Sequence, residues 1–444
     1  MTDWLIVNAD IVNEGHRYSG DLRIHGGRIE AIAPSLPARA NDRVFDARGR
    51  LLVPGMIDDH VHFREPGYTA KADIASESRT AIAGGVTSFI DMPNTDPPTL
   101  THALLDDKYA IAARSSAANF AFYFGASNDN LDAICTLDPR TVPGVKVFLC
   151  ESTGNLCVSD PAALDGVFRD APVNVLVHCE DDRIIHANLD RAKAQYGDAI
   201  PMRMHPDIRS REACFESTRW AVETARRHGT RLHVLHVSTA DELALFEPGP
   251  IAGKKITAET CVHFLRFCDA DYAKHGGRIK CNPAIKAASD RDALIRALAD
   301  TRVDVLATDH APHLAEEKAH PYAQCPSGIP LIQFALQSAL EQVFDGKLRL
   351  ERLVETTSHA PATLFAIKDR GFLREGYFAD MTLIDLNAPH TVQRSDIISK
   401  CGWSPFEGDT FRSSVAATWV NGHLAWNDGR LDDSQLGRRL EFDR

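Results

Sequence analysis

Residues 56–92 read MIDDHVHFREPGYTAKADIASESRTAIAGGVTSFIDM. An apolar run at 56–62 leads into a helical pattern at 70–84 and then into a second apolar run at 86–92, which together make one β-α-β unit. The same rhythm continues. Short apolar runs recur at 119–124 (NFAFYF), 144–150 (GVKVFLC), 173–179 (VNVLVHC), 231–237 (RLHVLHV), 254–260 (KKITAET) and 303–308 (VDVLAT), and helical stretches lie between most of them, as at 101–116, 210–228 and 289–300. Alternating strand and helix predicts a parallel sheet. Eight such units within residues 55–365 predict a (β/α)8 barrel of the TIM type. The rival is a doubly wound open sheet. It is weakened because no GxGxxG or GxxxxGK[ST] pattern follows any strand.

The two ends read differently. WLIVNADIV (4–12), the stretch 22–33 around Gly26-Gly27, and 44–53 read as short strands, as do 379–386 and 416–426. Gly26-Gly27 and Asn421-Gly422 suit two-residue hairpin turns, because these residues tolerate positive φ. Residues 1–54 and 366–444 are therefore expected to form one small β-sandwich domain, composite in origin, beside a barrel of 55–365.

Composition narrows the function classes. Lys+Arg 49 against Asp+Glu 61 gives a net charge of −12, which argues against a nucleic-acid binder that relies on a basic field. No run is long and apolar enough for a transmembrane helix. The stretch MTDWLIVNADIV lacks a basic n-region and a small-residue cleavage site, so it does not read as a signal peptide. The ten cysteines include no CxxC pair and are expected to be buried thiols in a reducing, cytoplasmic setting.

Barrel active sites lie at the C-terminal ends of the strands. The polar groups there are His60 and His62 after the first run, Lys146 in the fourth, His178 at the end of the fifth, His236 at the end of the sixth and Asp309 after the eighth. His60 and His62, two apart on a strand, share a face and could grip one zinc ion. Taken singly, each histidine is as readily a satisfied core residue, and Asp309 as readily a cap. The five positions together point to a metal centre. His233, three residues before His236, should face away from it. Lys146 has two readings. It could snorkel at a strand end. It could instead be a desolvated, partly neutral amine that adds CO2 to become a carbamate, an anion able to bridge two cations.

The motifs PGMIDDHVHFREPG (54–67), DMPNTDPP (91–98), GVKVFL (144–149), VHCED (177–181), LHVS (235–238) and ATDHAPH (307–313) resemble the cyclic amidohydrolase branch of the amidohydrolase superfamily. That resemblance implies two divalent ions, zinc foremost. His60, His62, the Lys146 carbamate and Asp309 would surround one, and Lys146, His178 and His236 the other. The residues after the HxH resemble dihydroorotases, because Arg64 can fork onto a substrate carboxylate, with Asn94 and His313 at the other carboxylate-binding positions and Asn282 as a substrate contact. The implied reaction is the reversible ring opening of L-dihydroorotate to N-carbamoyl-L-aspartate in de novo pyrimidine biosynthesis. A hydroxide bridging the ions would attack, and Asp309 would shuttle the proton. The sequence departs from the family at 282–286, where Asn-Pro-Ala-Ile-Lys stands for Asn-Pro-Pro-Leu-Arg, which leaves Lys286 without a role. Ser327-Gly328-Ile329-Pro330 only loosely matches a substrate-side loop. The resemblance further implies a homo-oligomer, dimer or tetramer, with a carbamoyltransferase as a potential partner. The rival readings are a hydantoinase, dihydropyrimidinase or allantoinase, and a non-catalytic homologue that partners a carbamoyltransferase.

Overall fold

The structure is a computed structural model that describes residues 3–150 and 156–444. The eight expected barrel strands are all present. We number them β1 (Met56–Val61), β2 (Val86–Asp91), β3 (Asn119–Phe122, continued by Phe124–Gly125), β4 (Gly144–Phe148), β5 (Asn174–His178), β6 (Leu232–Val234), β7 (Ile256–Cys261) and β8 (Val305–Ala307). Each pairs in parallel with the next. The ring closes just past the ends of β8 and β1. There His310 bridges Val61 in parallel, and His62 N–H donates to His310 O at 2.8 Å. All six residues of β1 are buried, as they must be when helices cover the outer face of a parallel strand.

The helices between strands carry ordinary start and stop signals. In Arg211–His228, the Ser210 hydroxyl accepts from Ala213 N–H, three basic residues fill the last turn, and Gly229 ends the helix at φ +72°. Between β5 and this helix lie Asp182–Tyr196 and a short helical stretch at Met202–Met204 and His205–Ile208. This insertion explains the wide spacing of His178 from His236.

Strands from both ends of the chain share one nine-stranded sheet. Leu51–Pro54 joins the two contributions. It pairs in parallel with Trp4–Asn13 and antiparallel with Met381–Asp385. Asn421 and Gly422, at φ +50° and +77°, turn the chain between Ser414–Val420 and His423–Asn427. Trp4, Ile6, Leu22, Leu383 and Trp419 belong to a core separate from that of the barrel. Among the described residues no disulfide is present. The expectation of burial holds for seven of the ten cysteines; Cys135 is exposed, and Cys157 and Cys268 are half-buried. No described helix is long and apolar enough to cross a membrane.

Candidate active site

A cavity of about 260 Å3 opens at the C-terminal ends of the barrel strands. Nine of the ten expected site residues line it: His60, His62, Arg64, Asn94, Lys146, His178, His236, Asn282 and Asp309. The tenth, His313, sits behind Arg64, with Nε2 3.0 Å from an Arg64 guanidinium nitrogen. Lys286 is buried elsewhere. Its Nζ donates to Ala284 O at 2.9 Å and it does not line the cavity.

The groups converge in two sets. His60 Nε2 and His62 Nε2 lie 3.3 and 3.1 Å from Asp309 Oδ1. His178 Nδ1 and His236 Nε2 lie 2.9 Å apart. For His60, His62 and His178 the other ring nitrogen is engaged by the protein. His60 Nδ1 is 2.8 Å from Glu259 Oε1, His62 Nδ1 is 2.7 Å from Asn94 Oδ1, and His178 Nε2 is 2.8 Å from Glu180 Oε2. An acceptor on one nitrogen fixes the tautomer and leaves the other nitrogen's lone pair toward the cavity. Burial pushes the pKa values of His60, His178 and His236 below the ordinary imidazole range, so these rings are neutral, the form that binds metal.

Lys146 lines the same cavity as both sets. Its buried Nζ has no hydrogen-bond partner among the described residues and stands 4.6 Å from the centre of the Phe148 ring. An orphaned ammonium in a dry interior is costly. Burial lowers its pKa to about 8. The donor set therefore fits a pair of divalent cations: neutral imidazoles in two groups, a carboxylate, and an amine that can become an anion.

Backbone strain gathers at the same place. Arg64, His236 and Asp309 have φ of +68°, +40° and +51°, in the left-handed region that side chains other than glycine rarely adopt. At the rim, Gly328 has φ +144°, and a Cβ there would come within 2.5 Å of Ala311 O. No side chain fits at that point of the wall.

Three functional neighbours are not marked by the strand-end pattern. Glu259 on β7 accepts from both His60 Nδ1 and the His236 N–H, the latter at 3.0 Å. Glu180 holds His178 and is itself gripped by Arg209, whose Nε lies 3.0 Å from each carboxylate oxygen. A charged residue inside an apolar run, as in Lys-Lys-Ile-Thr-Ala-Glu-Thr, is the signal that marks Glu259, since a buried carboxylate must have a partner.

The Glu180–Arg209 pair gives a stability prediction. Burial would raise the Glu180 pKa, yet Arg209 and His178 hold it well below the ordinary carboxylate range. A depressed folded pKa contributes stability above the unfolded value of about 4.3, and that stability is lost as pH falls from there toward the folded value. Arg209→Met strands the Glu180 charge. It is expected to cost about 3–5 kcal/mol, read at neutral pH as a lowered urea midpoint. The deficit should shrink as pH falls, because without Arg209 burial moves the variant's Glu180 upward and it takes up a proton at a higher pH than in the wild type.

Comparison with known proteins gives a consistent picture. Residues 51–425 match the model of the Amidohydrolase family. The chain is 35% identical over 424 residues to a dihydroorotase of Halobacterium salinarum, covering 95% of this chain and 96% of that one. It is 33% identical over 447 residues to an allantoinase of Solibacter usitatus, covering 99% and 97%. Among solved structures, an L-hydantoinase (dihydropyrimidinase) from Arthrobacter aurescens superposes with a TM-score of 0.94 at 26% identity, covering 99% of this chain and 100% of that one.

Proposed function

The chain belongs to the amidohydrolase family and is a cyclic amidohydrolase, and on that premise we propose that its substrate is L-dihydroorotate, opened reversibly to N-carbamoyl-L-aspartate. The observation that carries this reading is Arg64. Its guanidinium lines the cavity while only 4% of the residue is exposed. Its Nε donates to Pro312 O at 3.0 Å, and among the described residues no carboxylate forms an ion pair with it. A buried cation without a counter-charge is costly, and an anionic substrate supplies the charge. His313 supports this. Its Nδ1 lies 3.0 Å from Lys71 Nζ, and its Nε2 lies 3.0 Å from both an Arg64 guanidinium nitrogen and Ser327 O. Arg64, His313 and Lys71 thus form one cationic, donor-rich cluster at the cavity wall, a setting that suits a carboxylate on the substrate. Asn94 and Asn282 face the same cavity, and Asn282 Oδ1 is buried without a partner among the described residues.

In this reading His60, His62 and Asp309 would hold one cation and His178 and His236 the other. Lys146 would supply an anionic ligand as a carbamate, formed when its neutral Nζ attacks the carbon of CO2 and releases one proton. Two bound divalent ions would acidify water toward neutral pH and polarise the scissile carbonyl. The protein does the rest. Arg64, Asn94 and His313 fix the ring by its carboxylate, so the amide is presented in one orientation. Asp309 takes the proton of the attacking water on a carboxylate oxygen and delivers it to the departing ring nitrogen. In the biosynthetic direction the same groups close the ring. Residues 55–365 would be the catalytic barrel, with 1–54 and 366–444 as the β domain beside it.

The allantoinase similarity over 99% of the chain favours a second reading, hydrolysis of an uncharged cyclic ureide. A zinc-loaded assay on dihydroorotate, allantoin and hydantoin separates the two. Dihydroorotate should turn over best. Arg64→Ala should lower its kcat/KM by about 10–100-fold, the worth of one charge-assisted hydrogen bond, and leave hydantoin nearly unchanged. Equal losses on both substrates, or faster turnover of allantoin by the wild-type protein, would overturn the assignment.

A further inference from the structure

Two neighbouring strands of the terminal sheet, Met381–Asp385 and Ser414–Val420, pair antiparallel, yet residues 386–413 join them instead of a tight turn. A connection of that length between adjacent strands is uncommon and is usually functional. Its base is closed by the pairing of His390–Thr391 with Thr410–Phe411. Its tip leaves the sheet for the mouth of the barrel. There the Gly402 N–H donates to Ser399 O at 2.9 Å, and Gly402 turns the chain at φ +70°.

The tip is tied to three segments that follow barrel strands. Trp403, only 2% exposed, has a single donor, and its Nε1–H donates to His313 O at 2.7 Å, beyond β8. Lys400 Nζ donates to Thr69 O at 2.6 Å and lies 2.7 Å from Asp73 Oδ2, both in the loop between β1 and the helix Ile74–Ala83. Arg278, beyond β7, donates to Ser404 O at 2.6 Å, and its guanidinium carbon stands 5.3 Å from the centre of the Trp403 ring. Neither Trp403 nor Lys400 lines the cavity.

These ties meet behind the wall that carries Arg64 and His313. Arg64 rides on the loop after β1 and His313 on the loop after β8. At the cavity the two loops are joined by Arg64 itself, through Pro312 O and His313 Nε2. The width of a two-group anion site follows from where the two backbones sit, and loops with few buried contacts open readily. A brace that grips both backbones therefore sets the fork. We propose that residues 399–404 are the tip of a positioning arm, with Trp403 holding the His313 loop and Lys400 the Arg64 loop, and that through it the β domain sets the preference for a carboxylate-bearing ring. This role rests on the reading of Arg64 and His313 as the carboxylate site. The ties between arm and loops do not.

Kinetics and amide hydrogen exchange on the zinc-loaded protein test it. Trp403→Phe removes the donor and keeps an aromatic ring. KM for dihydroorotate should rise by about 3–10-fold, the worth of one neutral hydrogen bond, with kcat holding and hydantoin kinetics nearly unchanged. A plain packing defect would lower both activities together. Lys400→Met, at an exposed position, should raise the same KM, and Lys400→Arg, which can still donate to Thr69 O and Asp73, should restore most of it. Exchange should quicken by about 3–10-fold at 312–318 in Trp403→Phe and at 64–73 in Lys400→Met, with the barrel strands unchanged. Poor turnover of dihydroorotate by the wild-type protein would refute the substrate reading alone. Exchange then decides the arm, and unchanged protection at both segments overturns it whatever the substrate proves to be. Equal losses on dihydroorotate and hydantoin, in a protein whose wild type prefers dihydroorotate, would overturn the role in selectivity. Should Trp403→Phe fail to fold, the two Lys400 variants still decide.

Discussion

Asp309→Asn is expected to lower kcat by about 10^2–10^4-fold, the range for removing a positioned general acid–base group. The substitution keeps the shape and leaves one oxygen that can face His60 and His62, 3.3 and 3.1 Å away. It removes the ability to take up and return a proton. Although burial works against ionisation, His60 and His62 hold the Asp309 pKa at about 2, so the accepting form is fully populated at neutral pH. Elemental analysis and kcat must be measured on the same preparation. Retained zinc with collapsed turnover assigns the loss to the proton. Near-normal turnover would show that Asp309 does not carry it, and loss of zinc together with turnover would make it a ligand first.

The parts of this molecule that show in its sequence are those whose signal is local. A polar residue ending an apolar run is visible from a few neighbours, which is why His60, His62, His178, His236 and Asp309 stand out from the residue order alone. The hairpin at Asn421-Gly422 is visible for the same reason, since its turn is written in two residues. The surrounding support is not local. Glu259 meets His60 across 199 residues, a contact that exists only because β1 and β7 lie close across the closed ring. Arg209 reaches Glu180 only through the insertion after β5, whose path no periodicity specifies. His233 shows both limits. Its offset of three from His236 turns it away from the cavity, and nothing in the sequence hints that it faces Asp59. The left-handed backbone at His236 and Asp309 is likewise set by the loops that continue past the strand ends, not by residue type.

Lys146→Met is expected to cost more than about 10^3-fold in kcat/KM, several kcal/mol of transition-state stabilisation, while leaving the fold intact. Methionine fills nearly the same volume and removes the buried, unpartnered amine, so thermal stability of the metal-free chain should hold or rise. The loss belongs to charge balance. Two divalent cations bring four positive charges to a cavity whose other expected ligands are neutral imidazoles and one carboxylate, and unpaired like charges at close range are prohibitive where water is excluded. In the proposed reading an anion offsets that repulsion, and Lys146, which lines the same cavity, is a group able to become one. Its burial-lowered pKa, about 8, leaves a fraction of the amine neutral and nucleophilic at working pH. The wild-type protein should therefore carry the added mass of one CO2 in its metal-loaded form. Metal-stripped protein should reload two ions faster when bicarbonate is supplied than in CO2-free buffer, and Lys146→Met should respond to neither. An unmodified Lys146 in active, zinc-loaded protein would sink the carbamate and leave the two cations without the anion that lets them share one cavity.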